Sequence, residues 1–498
     1  MMKKLSLYSV LILCVLQVLC PGCARNMKAG RFPPPRPVVS RKDMFNNPIP
    51  VEFRCIDLDI KEFYTGALLA KDGKIYMAVS RKPKPAQLVV YDPETDSMKA
   101  AVTFTSGALC GGPDGKPLPP GTNPVLKGED RSGMSSDEAW FYSQDKVHAR
   151  LYQGADGRIY GATDSGVGDE HPDNTRRYAG GHFFAFDPET GKVEDLGWAR
   201  RHEGIIAIAM DIEREIIYGV TWPSGQLYAC HIKVPEKGPR IKLLDLTTNG
   251  LQGVPRYCDI LKDGRVFMCN GTTGDILVYI PPDYKGIFKP EEGLSGRLNR
   301  PAGLVTPTRP DPVEHPSLLR RSGRFRNWWM NGTLSPDGMR IYTTSQRRGQ
   351  LFEIEGTAGI FGRVIDHPHA KPWSGYGGEW TGASIKIMTF AKNGKFFYTG
   401  SGHLLTYDPR TGEIRDWGYM VDRSAPGKSV SKLGCGLTSV AADGTFYFTA
   451  TRRGPLIKAA EKEGEKPKYE YHYGLAWFNP QQLTQSKLQY TELHKKTR

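Results

Sequence analysis

No apolar run in this 498-residue sequence reaches the roughly 20 residues that a helix needs to cross a bilayer. A permanent helical anchor is therefore disfavoured. GxSxG, HExxH, P-loop and Rossmann fingerprints are all missing, which leaves serine-esterase, zincin and nucleotide chemistry without support. Amphipathic helical periodicity is missing too, and with it the case for a separate helical domain. Acidic residues are outnumbered, 53 Asp and Glu against 67 Lys and Arg, for a net charge of +14. No acidic ring suggests a catalytic cation. The basic surplus favours a polyanionic partner: nucleic acid, an anionic membrane or an acidic polysaccharide. What the chain does have is 39% hydrophobic residues, enough for a sizeable core, together with 56 Gly and 37 Pro, which imply many turns.

Lys3 and Lys4 precede an apolar run from Leu5 to Cys20 that closes on Pro21 and Gly22. This is the layout of a secretory signal, so residues 1–22 are read as a signal peptide. Gly22-Cys23 resembles the end of a bacterial lipoprotein box, although Cys20 stands where that box usually has Leu. Cys23 is thus the candidate lipidation site, and its lipid would be the means of membrane attachment. Cys20-Pro-Gly-Cys23 also spells CxxC, but its place at the signal boundary argues against a redox or zinc role. An exported chain does not meet intracellular nucleic acid. Charge and compartment together point to an acidic glycan, bound by a monomer that is either secreted or held at the cell envelope.

Residues 23–50 are Pro- and Arg-rich without apolar periodicity and read as an extended linker. From Val51 to the C-terminus one unit recurs: an apolar run, an Asp-Gly or Asn-Gly turn, and a β-branched and aromatic run. Often a second turn of the form Asp-Pro-x-Thr-Gly follows. The first turns are Asp72-Gly73, Asp156-Gly157, Asp263-Gly264, Asp337-Gly338, Asn393-Gly394 and Asp443-Gly444, with a degenerate copy at Asp211–Tyr218. Two-residue turns of this type match the right-handed strand twist and so predict hairpins. A repeat of about 50 residues with three or four strands is the signature of a β-propeller blade. The expectation is an all-β fold, a seven-bladed propeller over 51–498. Gly73 and Gly157, and likewise Gly264 and Gly338, lie further apart than the other turns, so insertions are expected near 105–145 and 285–325. Long loops on a rigid scaffold are where binding residues tend to sit.

The innermost strand of each blade lines the axis, so polar residues leading into those strands converge. They are Lys146-Val-His148-Ala-Arg150, His202-Glu203, Pro255-Arg256-Tyr257, Arg326-Asn327-Trp328-Trp329 and Gly382-Ala-Ser384. The set suits a sugar carboxylate: Arg pairs with it bidentately, His and Tyr move protons, and Trp covers a sugar face. Each could equally do no more than satisfy backbone groups around the axis. His182 and His403 occupy equivalent positions before Asp-Pro turns, which fits a repeat-structural role as well as catalysis. His367-Pro-His369 lacks a third metal ligand. No cofactor or catalytic metal is expected, a structural metal aside. If Asp263-Gly264 is a two-residue turn, Lys262 faces Arg265 and the ladder sets Cys258 opposite Cys269. That pair is either a disulfide in an oxidising compartment or two small buried residues. Cys55, Cys110, Cys230 and Cys435 have no pairing legible in the sequence.

Residues 144–230 read QDKVHARLYQGADGRIYGATDSG, YAGGHFFAFDPETGKVEDLG and HEGIIAIAMDIEREIIYGVTWPSGQLY. This stretch resembles the seven-bladed propeller polysaccharide lyases, the ulvan lyases and their relatives. The resemblance implies β-elimination at a uronic acid. An Arg or His neutralises the carboxylate, a Tyr or His removes the C5 proton, and the 4-linked leaving oxygen is protonated, with no metal required. By motif, His148 in KVHARL matches the catalytic histidine and Tyr218 in IIYGVTWP the tyrosine base. Asp164 stands where a His is expected after YGAT, and the insertion VGDEHPDNTRR supplies His171 in its place. Arg256, chosen on axis geometry, is the expected carboxylate partner, with His182, His202, Tyr257, Arg326 and Trp329 lining the substrate. Propeller α-L-rhamnosidases acting on rhamnosyl-glucuronate ends are also similar, and a non-catalytic glycan- or protein-binding propeller is the further alternative.

Overall fold

The computed structural model describes residues 48–104, 144–164, 180–222, 225–233, 241–245, 256–269, 276–281, 304–305, 329–345, 350–355, 361–365, 385–458 and 468–483, apart from 59, 61, 62, 82, 83, 145, 201, 202, 401, 402, 426, 434, 435 and 437. The expected insertions near 105–145 and 285–325 fall almost wholly outside these residues, as do the signal peptide with Cys23, nearly all of the linker, and His171, His202 and Arg326. The described chain is nearly all β, with one helical turn at 481–483.

Five sheets are four-stranded antiparallel meanders in chain order, the sheet plan of a propeller blade. The first consists of Leu68–Leu69, Ile75–Arg81, Lys84–Asp92 and Ser97–Thr103; the second of Tyr152–Gln153, Ile159–Ala162, His182–Phe186 and Val193–Trp198. Gly204–Asp211, Ile216–Trp222, Gln226–His231 and Ile241–Asp245 form the third. Cys258–Ile260, Val266–Cys269, Ile276–Tyr279 and Leu304–Val305 form the fourth, and Trp329–Leu334, Arg340–Ser345, Gln350–Glu355 and Phe361–Ile365 the fifth. A nine-stranded sheet follows. In it the meander Lys386–Phe390, Phe396–Gly400, His403–Tyr407 and Ile414–Asp422 meets the N-terminal strand Ile49–Cys55, which pairs parallel with Ile414–Asp422 and antiparallel with Lys468–Phe478. Lys468–Phe478 in turn pairs with Phe446–Lys458, whose far edge carries Val430–Lys432 and Ser439–Val440. The first and last described strands are thereby hydrogen-bonded into one sheet.

Apolar layers run from each sheet to the next. Tyr160 and Phe183 of the second meet Ile205 and Ile217 of the third. Tyr218 and Leu227 meet Cys258 and Met268 of the fourth, and Tyr257 and Phe267 meet Ile341 and Phe352 of the fifth. Leu475 of the last hairpin shares a layer with Ile75 and Met77 of the first sheet. Strands covered on both faces read as continuous apolar runs rather than alternating ones. For this reason Ile75–Arg81 and Gly204–Asp211 are buried at every position.

The turns differ from the two-residue expectation in one respect with consequences. At Asp72-Gly73 the Gly73 N–H donates to Ala70 O at 3.0 Å, Ala70 N–H donates to Lys74 O at 2.9 Å, and Asp72 Oδ1 accepts from Lys74 N–H at 3.0 Å. The same plan recurs at Gly157, Gly264, Gly394 and Gly444. Three residues therefore lie in the loop, a type I turn followed by a left-handed glycine, and the ladder behind each turn is displaced by one residue. At the fourth sheet Cys258 faces Met268, while Cys269 faces Ile276. The expected opposition of Cys258 and Cys269 is thus corrected, and Cys258 is fully buried in the layer between the third and fourth sheets. Gly73 has φ 78° with open space where a Cβ would stand, so Gly73→Ala isolates the left-handed backbone cost. The variant should unfold about 1–2 kcal/mol more easily, with an unchanged denaturant slope; an unchanged midpoint would show that the turn relaxes.

Aspartates at these turns are held ionised. A hydrogen bond from Thr190 lowers the Asp187 carboxyl, one from Arg410 lowers Asp408, and the Thr445 N–H lowers Asp443 below the ordinary carboxylate range. A carboxyl whose folded pKa is depressed contributes stability above its unfolded value, and that stability is lost as pH falls through the folded value. The melting temperature is therefore expected to drop steadily as pH is taken below about 4, and a flat acid profile would contradict this.

Candidate active site

Gln144 and residues 146–151 lead into the second sheet, with a bridge from Lys146 to Asp164 and a bend at Ala149. Val147 and Leu151 pack with the first sheet and Ala149 with the third. Lys146, His148 and Arg150, at the positions between them, are 0, 2 and 4% exposed. Three basic side chains at alternate positions need partners, because an unpaired buried charge is costly.

Lys146 Nζ lies 3.9 Å from Asp164 Oδ2 and 4.7 Å from the centre of the Tyr64 ring, a cation–π contact. Asp164 is fixed by its own N–H, which donates to Lys146 O at 2.8 Å, and its carboxylate fills the space that a side chain at Gly204 would need. The Tyr64 ring also stacks on His148, with centroids 4.6 Å apart and planes at 28°. His148 Nδ1 is 2.9 Å from Ile206 O. A carbonyl only accepts, so Nδ1 carries the hydrogen, and in the neutral ring Nε2 is the nitrogen with the lone pair. Tyr64 is half-buried, which makes it the most open member of the group. Glu203 closes the neighbourhood, accepting from Thr221 Oγ1 at 2.7 Å and pairing with Arg200 at 2.9 Å.

Arg150 reaches furthest. Its Nη1 donates to Asp259 Oδ1 at 2.7 Å and its Nη2 to Gly332 O at 2.6 Å, while Gly332 N–H donates to Asp259 Oδ2 at 2.8 Å. This three-membered clamp ties the entry of the second sheet to the first strands of the fourth and fifth. Beside it burial pushes Tyr152 up to about 12, which keeps its hydroxyl a donor, and that hydroxyl meets Ile208 O at 3.3 Å.

Of the residues singled out by sequence, His148 joins this cluster. Tyr218 lies in the apolar layer between the third and fourth sheets, 2% exposed. Tyr257 lies in the layer between the fourth and fifth, fully buried. Arg256 is half-buried just before the strand Cys258–Ile260, and Trp329 opens the first strand of the fifth sheet. His182 Nδ1 pairs with Asp195 at 3.0 Å, and His403 Nδ1 pairs with Asp416 at 3.0 Å. Both pairs sit at a bulge between the third and fourth strands of their sheets, so the two histidines repeat one local arrangement. Sequence reasoning missed Tyr64. The available signal was position: Tyr64 and His148 stand equally far ahead of Gly73 and Gly157, so neighbouring repeats bring them face to face. Among the described residues no group of three His, Cys, Asp or Glu could hold a metal ion.

No protein-family model matches the sequence, and no curated protein does. Solved structures give distant likenesses. A streptogramin B lyase aligns with 80% of this chain and 93% of its own at 11% identity, with a TM-score of 0.46. A putative 6-phosphogluconolactonase from Bacteroides uniformis aligns with 82% of this chain and 95% of its own at 11% identity and TM-score 0.41. The periplasmic gluconolactonase of Pseudomonas aeruginosa aligns with 83% and 99% at 12% identity and TM-score 0.41.

Proposed function

We propose that this chain is an exported seven-bladed β-propeller that cleaves a uronate-containing polysaccharide by β-elimination at the Tyr64–Lys146–His148 cluster. The proposed count of seven is supported by reading the nine-stranded sheet as two blades, one the four strands of Lys386–Asp422 and the other the four C-terminal strands joined by Ile49–Cys55 as a fifth. The observation that supports the chemistry is the hydrogen bond from His148 Nδ1 to Ile206 O, which makes Nε2 the nitrogen able to accept a proton. In the proposed step Nε2 takes the C5 proton, the electron pair forms the C4–C5 double bond, and the C4–O bond breaks as the leaving oxygen takes up a proton. Lys146, with Arg256 as the second candidate, would supply positive charge to the carboxylate as negative charge builds on it. The leader-like start and the basic surplus support export and an acidic glycan, with lipid attachment at Cys23 as the proposed anchor.

The near-complete burial of His148 and Lys146 favours a second reading, a propeller that binds the glycan without cutting it. The deciding experiment incubates purified protein with a panel of uronate polysaccharides, ulvan first, and follows the near-ultraviolet absorbance of an unsaturated uronate. Rising absorbance is expected. Shortened chains without absorbance would mean hydrolysis instead, and intact polymer would mean binding only.

A further inference from the structure

The last hairpin outgrows its sheet. Pairing between Phe446–Lys458 and Lys468–Phe478 continues past Arg453–Tyr471 through Leu456–Tyr469 to Lys458–Lys468, as an arm. Tyr471 is 53% exposed, one of only two exposed large apolar side chains among the described residues. Its cross-strand partner Arg453 is exposed as well. Directly opposed residues of an antiparallel pair share a face, so a phenol ring and a guanidinium stand side by side in solvent. The next pair, Arg452–His472, faces the other way, with Arg452 bound to Asp422 at 2.6 Å and lying over Phe53 at 5.1 Å. Lys458–Lys468 is the last pair of the ladder, and Glu470 is exposed.

The arm also points the right way. In the second sheet the second strand runs up to Asp164, beside Lys146. In the last sheet the equivalent strand passes Thr449, whose Oγ1 donates to Thr65 O at 3.0 Å, next to Tyr64. Arg453 is four residues further on, about 13 Å at 3.3 Å per residue.

We infer that the Arg453–Tyr471 face is an outlying subsite for a polymeric acidic glycan. Tyr471 covers the C–H face of a sugar, and Arg453 grips a uronate carboxylate bidentately. The small basic excess of the hairpin's sequence, six Lys and Arg against four Glu over 446–478, the exposed Arg453 and the continuity with the candidate site select this partner. The inference rests on the acidic-glycan reading of that site and not on elimination. Its test uses the full chain and calorimetric binding of long polyuronate, a short uronate oligosaccharide and neutral dextran. Arg453→Ala and Tyr471→Ala should each weaken polyuronate binding about tenfold, with the oligosaccharide unaffected. Tyr471→Phe should retain binding, and Arg453→Lys should lose part of it. Unchanged polyuronate affinity in both alanine variants, no binding by the native chain, or equal binding of dextran would overturn the subsite. Native binding without any rise in absorbance would overturn the lyase reading alone.

Discussion

On the proposed elimination reading, His148→Gln is expected to lower the rate about 10²–10⁴-fold, the usual contribution of a positioned general base, while leaving the fold in place. The side-chain amide of glutamine can still donate to Ile206 O, but it has no basic nitrogen to stand in for Nε2. Tyr64 keeps a planar group to stack on, and Lys146 keeps its contacts with Asp164 and the Tyr64 ring. Turnover should therefore fall with little change in KM, since the amide removes a transition-state interaction rather than a binding one. The rate is read from absorbance on a uronate polymer and the fold from circular dichroism and the melting temperature. A variant that turns over at the native rate would remove His148 from the mechanism. One that fails to melt cooperatively would show that the histidine is a strut between Tyr64 and the third sheet.

Arg150→Met should be the most destabilising of the substitutions considered, costing about 3–5 kcal/mol. It strands Asp259, which is 4% exposed, with only Gly332 N–H as a described donor. Burial already pushes the Asp259 carboxyl up, against the pull of Arg150. Without that cation the group escapes by taking a proton. A carboxyl with a raised folded pKa favours the folded state at low pH, so the penalty should shrink as the solution is acidified. Removing both partners, as in Arg150→Met with Asp259→Leu, should restore much of the loss, because two apolar groups leave no charge stranded. Urea denaturation of the single and double variants measures this directly. A single-variant cost no larger than that of a surface substitution would mean that the clamp does not hold the second sheet to the fourth and fifth.

Much of the architecture was legible before any coordinate. Asp-Gly and Asn-Gly pairs flanked by β-branched runs mark hairpins because turn and strand preferences are local. The six turns named from sequence are the six seen, down to the aspartate or asparagine oxygen capping the next N–H at Asp72, Asp156, Asp263, Asp337, Asn393 and Asp443. Even the second-turn motif carried over: Gly191 and Gly412 take φ 69° and 72°, and Asp96 takes φ 49° where the first repeat has no glycine. The one local error was turn length. It moved Cys258 opposite Met268, since a single-residue offset re-pairs every residue behind the turn.

The sequence by itself determined an all-β chain of repeated units of three or four strands and placed His148 at the entry of the second, because those properties depend on neighbours a few residues away. Only the tertiary structure decided that Tyr64 stacks on His148, that Arg150 crosses to Asp259 and Gly332, and that Tyr218 and Tyr257 belong to the core. A strand buried on both faces can turn a tyrosine toward the axis or toward the next sheet with the same local pattern. The choice is made by which distant residues pack against it.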